Sequence, residues 1–331
     1  MKVNGLNNMQ YIKHNSTTQA IKPANAHALA NAILNVKSPT RKDIAKLANV
    51  TEMTVCRAIS RLSDSGFIQE NTTSSGANTV SIADNLKFII IDLTLDEYCA
   101  YLLSSSYKAI EQFSYTYNHS IDISDNLAIF LDRAKATFAK KANHFSGIAV
   151  ISDIFDEQSK SNVLNVINQC FASPFCTFLS TPECLSALKN SAIDSHFPAN
   201  SMYYICLGRR NTAYYLNSDF TIKSNPSVLV DTNGNSLGEK IKHCISPEIL
   251  TDIVFEVVNS ASAILDAKLF LIESDRFILG GGISVNIAEK LKLRFKDGRK
   301  LFVSDAKPNY YIKGAAVSLQ KELIKNILAK S

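Results

Sequence analysis

The sequence has no run of about 18 apolar residues, the length a membrane-spanning helix needs, which excludes a helical integral-membrane protein. Its first residues carry no apolar signal core, so the expectation is a cytoplasmic protein. Short cysteine pairs at metal-ligand spacing are missing as well. The seven cysteines (Cys56, Cys99, Cys170, Cys176, Cys184, Cys206, Cys244) are odd in number, and Cys56, Cys99 and Cys206 lie in apolar segments. That excludes a disulfide framework and points to small buried hydrophobes in a reducing compartment. No metal site and no cofactor are expected. Charge of one sign is scarce too, since 35 basic residues meet 30 acidic ones. What is present is ordinary for a sizeable core: 331 residues, 46% hydrophobic and 20% charged, enough for two or three domains.

The small basic excess is unevenly placed. Residues 1–85 hold nine Lys/Arg against five Asp/Glu, whereas the remainder is nearly balanced. The same region holds the most informative segment, Thr40–Ser65. Ile44, Ala45, Leu47 and Ala48 read as the inner face of a short helix, and Asn49 and Val50 as a corner. Val55, Ile59 and Leu62 then repeat at helical spacing along a second helix. This is a helix-turn-helix pattern, whose second helix is built to enter a DNA major groove. Thr40 and Thr51 are expected N-caps, Asp43 adds an acid to the first turn, and Gly66 stops the second helix. A helix from about Pro23 to Val36 precedes the motif. FIQE and TVSIA follow as strands around a Gly- and Asn-containing loop, which reads as a wing. Domain 1–85 is therefore expected to be a winged helix-turn-helix. Its expected DNA-facing residues are Arg41, Lys42, Thr51, Glu52, Thr54, Arg57 and Arg61: basic groups for phosphate or guanine, hydroxyls for phosphate or base edges, and Glu52 as a selector of cytosine.

From Lys87 onward the pattern changes. KFIIIDL and DEYCAYLLSS read as paired strands, with a third near Phe113–Tyr117 and a helix over Asp125–Lys141. The strand GIAVIS, a helix over Ser159–Cys170, the strand FCTFLS and a helix capped by Thr181 follow. A similar order recurs. MYYICLG pairs with TAYYLN, with more β structure through Val230. A helix over Pro247–Leu265 leads to the strand KLFLIE. RFILGGGIS, a helix from about Asn286, LFVS and a C-terminal helix over Gly314–Lys330 complete it. Two α/β lobes with a cleft between them are expected, over 86–200 and 201–331.

Four segments carry a family likeness: Ile91-Asp92-Leu93, Gly147-Ile148-Ala149-Val150, Leu279-Gly280-Gly281-Gly282-Ile283-Ser284 and Gly314-Ala315-Ala316. In that order, after a helix-turn-helix, they resemble the repressor branch of the ROK family of repressors and sugar kinases. The resemblance implies an α/β fold of a particular kind: an N-terminal winged helix-turn-helix followed by a two-lobed actin/hexokinase-like (ASKHA) ATPase fold. It also implies an effector cleft at Asp92, Thr94, Thr181, Glu183, Gly208, Gly281 and Gly282.

Departures from the family pattern weigh on activity. Asp92-Leu93-Thr94-Leu95-Asp96 stands where the kinases have D-L-G-G-T, so side chains replace the glycines that admit ATP phosphates. Leu179-Ser180-Thr181-Pro182-Glu183 lacks the Asp of the family's N-D base pair. Gly208-Arg209-Arg210-Asn211-Thr212 keeps one glycine of a phosphate turn, and His243-Cys244 alone cannot close a zinc site. The expectation is a non-enzymatic, sequence-specific transcription regulator of the repressor type. Its partners would be a double-stranded DNA operator, further copies of itself as dimer or tetramer, and a sugar or sugar phosphate effector. The alternative is an active ROK-type sugar kinase carrying a DNA-binding appendage.

Overall fold

The computed structural model describes residues 20–74, 76–94, 97–142, 144–153, 156–172, 174–189, 201–207, 212–217, 222–224, 246–264, 269–274, 289, 300–304 and 308–330. Three helices open it: α1 (Pro23–Leu34), α2 (Arg41–Ala48) and α3 (Glu52–Asp64). Pro23 starts α1, where a missing N–H costs nothing. Thr40 and Asp43 form a reciprocal capping box at the start of α2. Asn49 ends α2 in the left-handed conformation at φ 51°, a position Asn tolerates because its short amide bonds locally. Thr51 caps α3 through the Thr54 amide, and Gly66 at φ 70° follows that helix. Val55, Ala58, Ile59 and Leu62 are buried, as the spacing requires.

Leu47 departs from expectation, for it is 56% exposed. The buried stripe of α2 is Ile44, Ala45 and Ala48, and Leu47 stands roughly 100° round the helix from the centre of that stripe.

A hairpin of β1 (Ile68–Thr72) and β2 (Asn78–Ile82) follows, paired from Ile68–Ile82 to Thr72–Asn78. Val80 N–H donates to the Pro39 carbonyl at 2.9 Å, fastening the hairpin to the start of α2.

The rest is built on two sheets, each with five strands among the described residues. The first has the order β5-β4-β3-β6-β7, from β3 (Lys87–Leu93), β4 (Glu97–Ser104), β5 (Ala109–Thr116), β6 (Gly147–Ile151) and β7 (Cys176–Leu179). The second has the order β10-β9-β8-β11-β12, from β8 (Met202–Leu207), β9 (Thr212–Leu216), β10 (Ile222–Ser224), β11 (Leu269–Ser274) and β12 (Lys300–Ser304). In each sheet the first strand is central, two antiparallel strands extend from one side and two parallel strands from the other. The recurrence read from the sequence is thus a repeat of topology. Helices α4 (Ile123–Phe138) and α5 (Glu157–Phe171) cover one face of the first sheet. Helix α6 (Thr181–Lys189) follows β7, and α7 (Pro247–Ile264) precedes β11.

The last helix, α8 (Tyr310–Ala329), begins four residues before Gly314 and touches all three parts of the chain. At its start the Glu273 carboxylate of β11 accepts the Tyr310 N–H at 2.9 Å and the Tyr204 hydroxyl. Along its length it packs on α6, the first sheet and α1. Buried Gln320 accepts from the Tyr107 hydroxyl at 2.5 Å and donates to the Ser105 carbonyl at 3.1 Å. At its end the Leu328 carbonyl accepts from Ile21 N–H at 3.2 Å and Arg61 Nη1 at 3.3 Å. One continuous apolar core consequently runs from Leu29 and Ile59 through Leu319 and Ile324 to Ile90, Tyr204 and Leu271.

Further boundaries shift from the sequence reading. The third strand spans Ala109–Thr116, earlier than Phe113–Tyr117. Helix α6 is capped by Ser180, whose Oγ accepts the Glu183 N–H while Glu183 Oε2 takes the Ser180 N–H at 2.7 Å. The expected RFILGGGIS strand, the helix from Asn286 and the β structure beyond Ser224 lie outside the described residues.

Candidate nucleic-acid interface

The capped turn between α2 and α3 sets α3 with Val55, Ala58, Ile59 and Leu62 inward and the opposite side toward solvent. Lys42, Glu52 and Arg57 are exposed. Arg57 Nη2 lies 3.6 Å from Met53 Sδ, four residues earlier on the same face. Met53 itself is 66% exposed. Sequence reasoning passed over it; the available signal was an apolar residue off the Val55-Ile59-Leu62 stripe.

Other expected residues have partners within the chain. Thr51 and Thr54 share a hydroxyl–hydroxyl hydrogen bond of 3.0 Å at the helix cap. Arg41 Nη2 pairs with Glu70 Oε1 of β1 at 2.5 Å, and its Nη1 reaches Cys56 Sγ at 3.5 Å. Arg41 thereby braces α2, α3 and the hairpin together. Arg61 is half-buried, with its Nη1 3.3 Å from the Leu328 carbonyl. The last carbonyls of a helix lack intrahelical donors, and a cation there meets the negative end of the helix dipole. Position 61 lies one turn beyond Arg57 on the same side of α3, where it meets the end of α8.

The expected cleft residues are held one by one by internal partners. Asp92 is fully buried on β3 and accepts the Tyr311 hydroxyl at 2.8 Å. Thr94 closes the β3–β4 turn, with its hydroxyl 2.6 Å from the Glu97 carbonyl. Thr181, also fully buried, gives its N–H and its hydroxyl to the two carboxylate oxygens of Asp153, each at 2.7 Å. Glu183 caps α6. Gly208, Gly281 and Gly282 lie outside the described residues, as do Arg209 and Arg210. Among the described residues no cluster of three or more His, Cys, Asp or Glu is arranged to hold a metal, and no helix is long and apolar enough to cross a membrane.

A mixed α/β body with a three-helix-and-hairpin module docked on its last helix defines the architecture. Its sequence matches no family model and no curated protein. The fold is shared with a crystal structure of a ROK family transcriptional regulator, described as a homolog of the E. coli MLC protein. The two are 12% identical, at a TM-score of 0.60 over 92% of this chain and 97% of the other. Looser likenesses are a ROK family glucokinase from Streptomyces griseus (10% identity, TM-score 0.47, 70% of this chain, 98% of that one) and a polyphosphate/ATP-glucomannokinase from Arthrobacter sp. strain KM (10%, 0.46, 71%, 98%).

Proposed function

We propose that this chain is a DNA-binding transcription regulator of the ROK type, whose residues 1–85 form a winged helix-turn-helix and whose regions 86–200 and 201–331 form two kinase-like lobes. The observation that carries this reading is the capped α2–α3 pair, which leaves Lys42, Met53 and Arg57 outward while its other side joins the core of the body. The regulator of like fold supports it. Lys42 would meet a phosphate, Arg57 a guanine edge, and Met53 the methyl group of a neighbouring thymine, because an apolar side chain beside an arginine suits a T-G step. One such helix reads few base pairs, so a homodimer or tetramer on a palindrome is part of the proposal, as is repression.

Sugar phosphorylation is not expected. Asp92, where the family's first phosphate strand ends, is fully buried under Tyr311, and side chains replace the glycines that follow it.

Footprinting on DNA flanking the chain's own gene is the direct test. A protected site is expected at low salt. Lys42→Ala should lower the slope of log affinity against log salt by about 0.9, the value for one lost phosphate contact. Arg57→Ala should relax sequence preference instead. No protection at any salt would end this reading.

A further inference from the structure

We propose that the cleft between α1, α6 and α8 binds a small phosphate monoester, with Lys321 as its main cation and His27 and Asn31 as flanking donors. The cleft has a volume of about 380 Å³ and is floored by β7. That is within the range of small-molecule sites, roughly 300–1,000 Å³. It lies at the seam between the helical module and the body.

Charge points to an anion. His27, Lys321 and Lys325 stand close enough to repel one another. Partial burial and then Lys325 hold the Lys321 ammonium below its ordinary range, and partial burial followed by Lys321 and Lys325 does the same to the His27 imidazole. Two carboxylates also line the cleft, and both have donors already. Glu183 Oε2 takes Ser180 N–H at 2.7 Å and Ser180 Oγ at 2.8 Å. Glu322 takes Lys325 Nζ through both oxygens, at 2.8 and 2.9 Å. Lys321 has no ion pair among the described residues. Glu322 offsets the Lys321 charge only in part, since both its oxygens are taken by Lys325, and a bound dianion would supply the remaining counter-charge. Lysine acts on phosphate as a point charge, while Asn31 of α1 and Ser186 of α6, both lining the cleft, offer hydrogen bonds to the ester's hydroxyls. The bound anion would join α1 to α8, the helix whose end already holds Ile21 and Arg61. A consequence for DNA binding rests on the reading proposed above; ligand binding itself does not.

Calorimetry on the full chain without DNA tests the site, with glycerol 3-phosphate as probe and glycerol, glycerate and inorganic phosphate as comparisons. Glycerol 3-phosphate should bind saturably, inorganic phosphate and glycerate more weakly, and glycerol not at all. Lys321→Ala should weaken binding about tenfold or more, the scale of one charge-assisted hydrogen bond. Asn31→Asp, which places a carboxylate against the anion, should weaken it without touching the cation, and serves if Lys321→Ala fails to fold. Absence of saturable heat, or unchanged affinity in both variants, would overturn the site. Equal affinity for glycerate would overturn the phosphate assignment, and equal affinity for inorganic phosphate the ester. Mobility shifts with and without the ester test the consequence: unchanged DNA retention beside intact ligand binding removes the coupling and leaves the site, whereas no DNA retention under any condition counts against the reader alone.

Discussion

Gly314 of α8 lies so close to the carbonyl of Cys184 in α6 that a Cβ at position 314 would overlap it. The glycine allows the two backbones to meet. Ala315 and Ala316 continue the buried face on which α8 lies along the first sheet. Because α8 then reaches Arg61, the position of the helical module depends on this crossing.

Gly314→Ala should therefore destabilise the protein by about 1–3 kcal/mol, the usual range for overpacking, despite alanine's better helix propensity. Denaturant titration measures it. A stabilised variant would contradict the close backbone approach at Gly314.

Arg61→Ala should cost about 1 kcal/mol, since the Leu328 carbonyl keeps the Ile21 N–H and solvent replaces the guanidinium only in part. Amide exchange should quicken at the end of α8 and in α3 together. Faster exchange in α3 alone would contradict the contact.

Tyr311→Phe removes a donor from the fully buried Asp92. Loss of about 1–3 kcal/mol is expected, the penalty for an under-satisfied buried acceptor. Thermal melting of Tyr311→Phe against Tyr311→Leu separates the hydroxyl from the ring, with most of the loss expected already in the phenylalanine variant if the hydrogen bond matters.

His27 titrates below its ordinary 6.5 in the folded protein, through partial burial and then Lys321 and Lys325. The unfolded chain thus holds more protons in the window just below 6.5, and stability rises with pH through that window and is complete above it. Melting temperature should fall modestly as pH drops from about 7 to 5, the range in which histidine changes charge. His27→Gln should flatten that slope; an identical slope in the variant would refute the assignment.

Much of the local structure was legible in the residues. The Thr40 cap, the Thr51 cap and the Val55-Ile59-Leu62 stripe are short-range signals, and each forms as spaced. The doubled strand order was legible because buried strands followed by amphipathic helices recur in the chain. Leu47 shows the limit of periodicity: on an eight-residue helix the stripe is narrow, and three other residues define its centre. Arg41 and Arg61 show another limit. Residue type fixes their charge but not their partners, which are 29 residues away at Glu70 and 267 away at Leu328.

The order of residues alone determined the helical module and most strands of the two sheets, because caps, turns and hydrophobic spacing act within a few positions. Tertiary structure decided which charges remain outward, that α8 joins all three parts, and that a cleft lined by Lys321 opens beside it. Those outcomes depend on surfaces brought together from distant parts of the chain, where close approach at Gly314 and burial around Lys321 are set by packing rather than by neighbours in sequence.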